Sequence, residues 1–324
     1  MPAGRVKTLD GKHIRLLVGG GWSVDVEREI AAGGFDRLEF HHGDYDDFRC
    51  LLPYKAQVKA IALFSGEFGS AAGLAELDEL RSLSVGPALK GLDFSTLARL
   101  EELNLDGWLP RYAKTLFQCA NLKSLRIEGY DGANCERIGE LRELRRLTLA
   151  KGKLSSLQGL AACGKLASIH LAHLRKLSDI SEIERIPTLR ELELSEALPA
   201  LQQFDVTFRK TALKRLDLRA LDVELPDISW LSQFTKLHLL AIRNVVPMDW
   251  DALFASRDLK KIAVTFAKST GLSVDQVRDI ALAHGLRPTQ IGPIGVAAKQ
   301  KGYWLEFRPD GSTQNLWYWD ESQP

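Results

Sequence analysis

The chain has 324 residues, 45% apolar and 26% charged, so it can bury a core and is too apolar to stay disordered. Lysine plus arginine number 43 and aspartate plus glutamate 42, a net charge of +1. That balance excludes a protein held to nucleic acid or to a membrane by bulk charge.

Residues 1–34 come first. "RVKTLDGKHIRLLV" reads as a small hairpin turning at Asp10-Gly11, an N-terminal cap. Charges interrupt its apolar run, which is not a secretory pattern. "GGGW", Gly19 to Trp22, has neither a following Lys-Ser/Thr nor a GxGxxG frame, so phosphate cradling is not expected. No later run reaches the roughly 18 apolar residues of a membrane span.

From Phe35 onward one frame recurs, L-x-x-L-x-L, with Ile, Val or Phe allowed at the apolar places. It reads "FDRLEF" at Phe35, "VKAIAL" at Val58, "LRSLSV" at Leu80, "LEELNL" at Leu100, "LKSLRI" at Leu122 and "LRRLTL" at Leu144. It continues as "LASIHL" at Leu166, "LRELEL" at Leu189, "LKRLDL" at Leu213, "LHLLAI" at Leu237 and "LKKIAV" at Leu259. Successive starts are 20 to 24 residues apart. The last two apolar places, such as Leu147 and Leu149, alternate as on a strand and point inward, while their neighbours point outward. The first, such as Leu144, lies in the turn feeding the strand. Between strands, Leu157 and Leu160, or Ile180, Ile183 and Ile186, recur every three residues, as a 3₁₀ turn needs. No coil buries its leucines alone; stacking does that.

The pattern resembles the leucine-rich-repeat family in its short class of about 22 residues, as in internalins. The resemblance covers residues 35–266. It implies an α/β solenoid: a right-handed superhelix bent into a horseshoe or arc, with a parallel sheet on the concave side and short helical or 3₁₀ turns on the convex side. The family usually has Asn three residues after the last strand leucine. Here that place holds Gly43, Gly66, Ala88, Trp108, Tyr130, Gly152, Leu174, Ala197, Leu221, Val245 and Ala267, so there is no Asn ladder and the arc should be distorted or flattened.

Residues 267–324 change character. Ser273 and Gln276 form a capping box, Leu272 can staple onto Val277, and Gly285 with Leu286 ends the helix. "YWLEFRPDGSTQNLWYW" then reads as two aromatic strands around Pro309-Asp310-Gly311. Helix and hairpin form a C-terminal cap, with Tyr303, Trp304, Phe307, Trp317, Tyr318 and Trp319 on both hairpin faces.

Catalytic constellations are not evident. "HHGDYDD", His41 to Asp47, is a polar turn after a strand, and a metal site is not expected there. His170 and His173 share a coil with no nucleophile beside them. Cys50, Cys119, Cys135 and Cys163 form no CxxC; Cys119 and Cys163, each three residues before a repeat, read as buried apolar thiols in a reduced, cytoplasmic protein.

What remains is the outward face of the strands. Glu102, Asn104 and Asp106 lead, with Trp108 at the turn. Arg126 and Arg146 follow with Tyr130 nearby, then His170, then Glu191 and Glu193 with Asp217 beside them. Small opposed charge patches with a few aromatics fit a specific protein-binding surface. Trp108 and Tyr130, at the Asn place, can equally fill the coil interior. The expected protein is a non-enzymatic binding module without cofactor or metal, monomeric on its own, engaging another protein but not nucleic acid or membrane. Its most concrete form is an inhibitor, such as an immunity protein that occludes a basic toxin or nuclease domain. The alternative is an effector or scaffold that binds proteins without inhibiting an enzyme.

Overall fold

The computed structural model describes residues 3–7, 13–65, 67–86, 89–196, 212–219, 228–245, 249–266, 273–293 and 301–306. The chain divides into two compact units, Met1–Ala167 and Ser168–Pro324.

The first unit opens with β1 (Ala3–Lys7) antiparallel to β2 (Ile14–Val18). The expected turn at Asp10-Gly11 lies outside the described residues. Helix α1 (Val24–Ala31) follows, which the hairpin reading of residues 1–34 missed. Ser23 caps it by accepting from the Val26 N–H, and Val26 and Ile30, four residues apart, are its buried face.

The frame copies of this unit then form β3 (Arg37–Phe40), β5 (Ala60–Leu63), β7 (Ser82–Val85), β8 (Glu102–Leu105), β9 (Ser124–Glu128) and β10 (Arg146–Ala150). From β2 on these pair in parallel and in register, so that Leu103, Leu125 and Leu147 lie side by side. A separate parallel pair, β4 (Asp44–Tyr45) with β6 (Glu67–Phe68), follows the first two frame strands. Phe40, Tyr45, Phe48 and Phe68 pack around it with ring centroids 5.1–6.1 Å apart.

The alternation holds at the level of packing. Leu144, Leu147 and Leu149 are buried, while Arg146 and Thr148 are half-exposed. Return segments cross as single 3₁₀ turns, for example Phe94–Thr96, Ile138–Glu140 and Leu160–Ala162. The three-residue spacing seats Leu154, Leu157 and Leu160 in the interior at 0% exposure.

The second unit continues the same scheme with β11 (Ser168–Ala172), β12 (Glu191–Ser195), β13 (Arg215–Arg219), β14 (Leu239–Val245) and β15 (Lys261–Phe266), parallel and in register except for a shift in the β14–β15 pairing between Ile242 and Val245. The turn Ser181–Arg185 is 3₁₀, with Ile180, Ile183 and Ile186 buried as their spacing requires. A short α2 (Trp250–Leu253) occupies one return segment, capped by Asp249.

Helix α3 (Val274–Ala283) carries the capping box: Ser273 accepts from Gln276 N–H at 3.2 Å and Gln276 accepts from Ser273 N–H at 2.8 Å. Gly285, at φ +74°, closes it, and Leu286 N–H reaches back to the Ala281 carbonyl. Leu272, the expected staple, is outside the described residues. Of the terminal aromatic segment only the part through Glu306 is described. Its first strand, β17 (Lys301–Glu306), runs antiparallel between β15 and β16 (Gln290–Pro293), a strand the sequence reading did not anticipate. The expected turn at Pro309-Asp310-Gly311 and the second aromatic strand lie outside the described residues.

Candidate functional site

In the first unit, strand alternation places Glu102 and Asn104 outward from β8 while Leu103 and Leu105 are buried. Register then sets their neighbours: Ser124 and Arg126 on β9, and Arg146 and Thr148 on β10. The charges pair across the coils. Arg126 Nε lies 3.9 Å from Asp106 Oδ1, and Arg146 reaches over the short Ser124 to Glu102 Oε1 at 3.6 Å. Asn104 donates to Ser84 Oγ at 3.0 Å. The expected separate acidic and basic patches are therefore one interlaced surface. These half-exposed pairs add little stability, but they fix long side chains in place.

Trp108 and Tyr130 occupy the place of the missing Asn. Tyr130 is not a surface residue: it is 4% exposed, and burial pushes its hydroxyl up to about 12. Trp108 is half-exposed, set edge-on to Tyr130 at 5.2 Å, with its indole N–H donating to Asp131 Oδ1. One residue earlier in the repeat, the backbone enters the left-handed region at Gly129 (φ +85°) and Lys151 (φ +53°), and in the second unit at His173 (φ +54°) and Glu196 (φ +52°). That turn aims backbone groups along the stack. Gly129 N–H donates to the Ala150 carbonyl, and within the second unit His173 N–H donates to Ser195. Coil-to-coil backbone bonds thus take the place of the Asn side chain.

In the second unit His170 Nε2 lies 3.1 Å from Glu193 Oε1, and Arg215 lies 3.4 Å from the other Glu193 oxygen. Glu191 accepts from Ser168 Oγ at 3.0 Å. Asp217 corrects the surface reading: it is 0% exposed, with Arg215 3.7 Å away, so it offers no accessible carboxylate. Among the described side chains of the outward columns of β14 and β15, Leu239, Ala241, Lys261, Ala263 and Thr265 are buried as well. Among the described residues, the half-exposed positions of this unit's strand face include His170 on β11, Glu191 and Glu193 on β12 and Arg215 on β13.

The other chemistry-bearing groups are engaged locally. His41 stacks on the exposed Phe64 at 5.1 Å, and His42 Nδ1 lies 3.4 Å from Ser65 Oγ. Among the described residues no three His, Cys, Asp or Glu side chains converge as a metal set, and no helix is long and apolar enough to cross a membrane.

Cys119 and Cys163 are buried and donate weakly to carbonyls of the preceding coil, Phe94 and Ile138. Burial pushes the thiol of Cys119 up to about 12 and those of Cys50 and Cys163 up to about 11. At pH 8 a thiol titrating near 11 is ionised to roughly one part in a thousand, against about a quarter for a free cysteine. Cys119 and Cys163 are expected to resist a disulfide reagent at pH 8 until denaturant is added. Rapid modification of either of them in the folded protein, followed by absorbance, would place it at the surface.

No family model matches the sequence, and no curated protein sequence matches it. Among solved structures, an internalin from Listeria monocytogenes is similar over 76% of this chain and 79% of its own, at 16% identity and a TM-score of 0.51. A leucine-rich-repeat protein from Leptospira interrogans aligns over 75% of each chain, at 15% identity and a TM-score of 0.43. The first of these likenesses agrees with the strand-and-3₁₀ coil described above: the chain is folded as a leucine-rich-repeat solenoid.

Proposed function

We propose that this chain is a non-catalytic protein-binding module. The observation that carries the reading is the registered outward face of the first unit. From β1 to β10 seven spacings of about 4.8 Å make a strand face roughly 34 Å wide. On its β8–β10 part half-exposed polar and charged side chains stand in fixed columns, already held by Arg126–Asp106 and Arg146–Glu102, while Glu39, Ala60 and Ala62 on β3 and β5 are buried and the exposed Phe64 follows β5. A surface whose rotamers are set before binding loses less entropy on association. Its lateral extent is that of a macromolecular footprint rather than a small-molecule site.

The concrete form we favour is an inhibitor that occludes an enzyme, with a basic toxin or nuclease domain as partner and Glu191 and Glu193 among its contacts. Support comes from the half-exposed Glu191 and Glu193 on β12, the latter held by His170 and Arg215, and, separately, from the prepaired first-unit face. The test mixes the chain, in stoichiometric excess, with a cognate basic toxin enzyme. Turnover is expected to fall at least about tenfold, which corresponds to roughly 1.4 kcal/mol or more of net stabilisation of the occluded state. Unimpaired turnover sinks the inhibitor reading. Capture of that enzyme on the immobilised chain without loss of turnover would favour a scaffold.

A further inference from the structure

The first outward row of the sheet, read across the strands by register, is Arg15, Arg37, Ala60, Ser82 and Glu102. Two short side chains between longer ones leave a depression of about 450 Å³, lined also by His13 and Asp36. The charges around it are mostly satisfied elsewhere. Glu102 pairs with Arg146, Arg15 reaches Glu39 at 3.5 Å through one terminal nitrogen while its buried Nε has no hydrogen-bond partner, and Asp36 accepts from Ile14 N–H at 2.7 Å beside His13. Arg37 differs. Its guanidinium extends over Ala60 to Ser82 Oγ at 3.4 Å, and among the described residues no carboxylate oxygen is recorded within ion-pair distance of it. The pocket therefore holds a half-exposed guanidinium with most of its donors unspent above a floor of small residues.

We infer that this pocket is a recognition subsite for an acidic side chain, Asp or Glu, on the bound protein partner, with Arg37 as its anchor. The charge decides the chemistry: a carboxylate is the group that Arg37's planar fork fits in two places. The setting decides the source. One solvent-accessible guanidinium holds a free small anion weakly. An acid carried on a partner that also covers the face around it is desolvated there and gains more. Ala60 and Ser82 leave the room that such a side chain and its backbone need. The inference rests on the protein-binding reading but not on inhibition of an enzyme.

The test pans a random peptide library over the full-length chain. Selected peptides are expected to share an Asp or Glu. Their affinity should fall about tenfold or more with Arg37→Gln, as for a hydrogen bond to a charged group, and equally when the acid is changed to its amide. Combining the two changes should cost no more than either alone. Arg145→Gln, an exposed charge away from the pocket, should leave binding unchanged, and unfolding curves that superimpose would show both variants folded. Acidic peptides that bind Arg37→Gln as tightly as the parent overturn the subsite, as does full displacement of them by an equal concentration of free glutarate. Peptides selected without an acid overturn it while leaving protein binding intact. Selection of no peptide overturns both.

Discussion

Leu147→Ala is expected to lower the unfolding free energy by about 2–5 kcal/mol, whereas Thr148→Ala should cost less than about 1 kcal/mol. The two residues are neighbours on β10 and differ in which way the strand turns them. Leu147 is 1% exposed and lies in register beside Leu125, so its removal leaves a void between stacked coils that neither neighbour can fill without moving its own strand. Thr148 stands half-exposed on the outward face beside Arg126, where alanine leaves nothing empty. Urea titrations of the two variants decide the matter. Equal small losses would mean that the strand is out of register by one residue, which would turn every outward column inward and remove the surface on which the binding proposal rests.

The strands and turns were legible because their signal is strictly local. Each L-x-x-L-x-L copy fixes one turn residue and two inward residues, and every copy from "FDRLEF" to "LKKIAV" lies on a strand of the structure. The three-residue spacing of Ile180, Ile183 and Ile186 marked a 3₁₀ turn for the same reason. The site was less legible because it depends on relations between coils. That Arg146 would cross Ser124 to Glu102 follows from register plus the shortness of serine, and neither is visible in a single repeat. Asp217 reads as a surface acid from its place in the column, yet it is buried, since the frame says which way a residue points but not what lies above it. Tyr130 holds the Asn place and fills the interior, because the turn's bonding had passed to the backbone at Gly129. Helix α1 was there to be found in Ser23 followed by Val26 and Ile30, a cap and an i, i+4 apolar pair. The repeat search began beyond it. Strand β16 had no such cue: Gln290–Pro293 is short and contains Gly292 and Pro293, and it exists through its pairing with β17.

Gly159→Ala should be among the most damaging single-methyl additions in the first unit, at about 2–5 kcal/mol. Two costs add there. Gly159 opens the 3₁₀ turn Leu160–Ala162 at φ +90°, where an L side chain is strained. A Cβ would also sit 2.6 Å from Glu136 Cα, which is backbone of the preceding coil and cannot swing aside. Gly73 repeats the arrangement before the turn Leu74–Glu76, with Phe48 carbon and Arg49 nitrogen both 2.7 Å from its notional Cβ, so the close approach belongs to the coil geometry. Gly139→Ala meets the same contact from the other side, its Cβ 2.4 Å from the Gly159 carbonyl, and should cost about 1–3 kcal/mol without the backbone strain. Gly164→Ala, with nothing within 4 Å, is the control and should change stability by no more than about 0.5 kcal/mol. Because Gly139 and Gly159 abut, the double variant should cost less than the sum of the singles: one outward shift of the coil relieves both clashes. Strict additivity in the denaturation series would mean that the two coils do not touch there, and a neutral Gly159→Ala would mean that the coils are spaced more widely than the stacked leucines require.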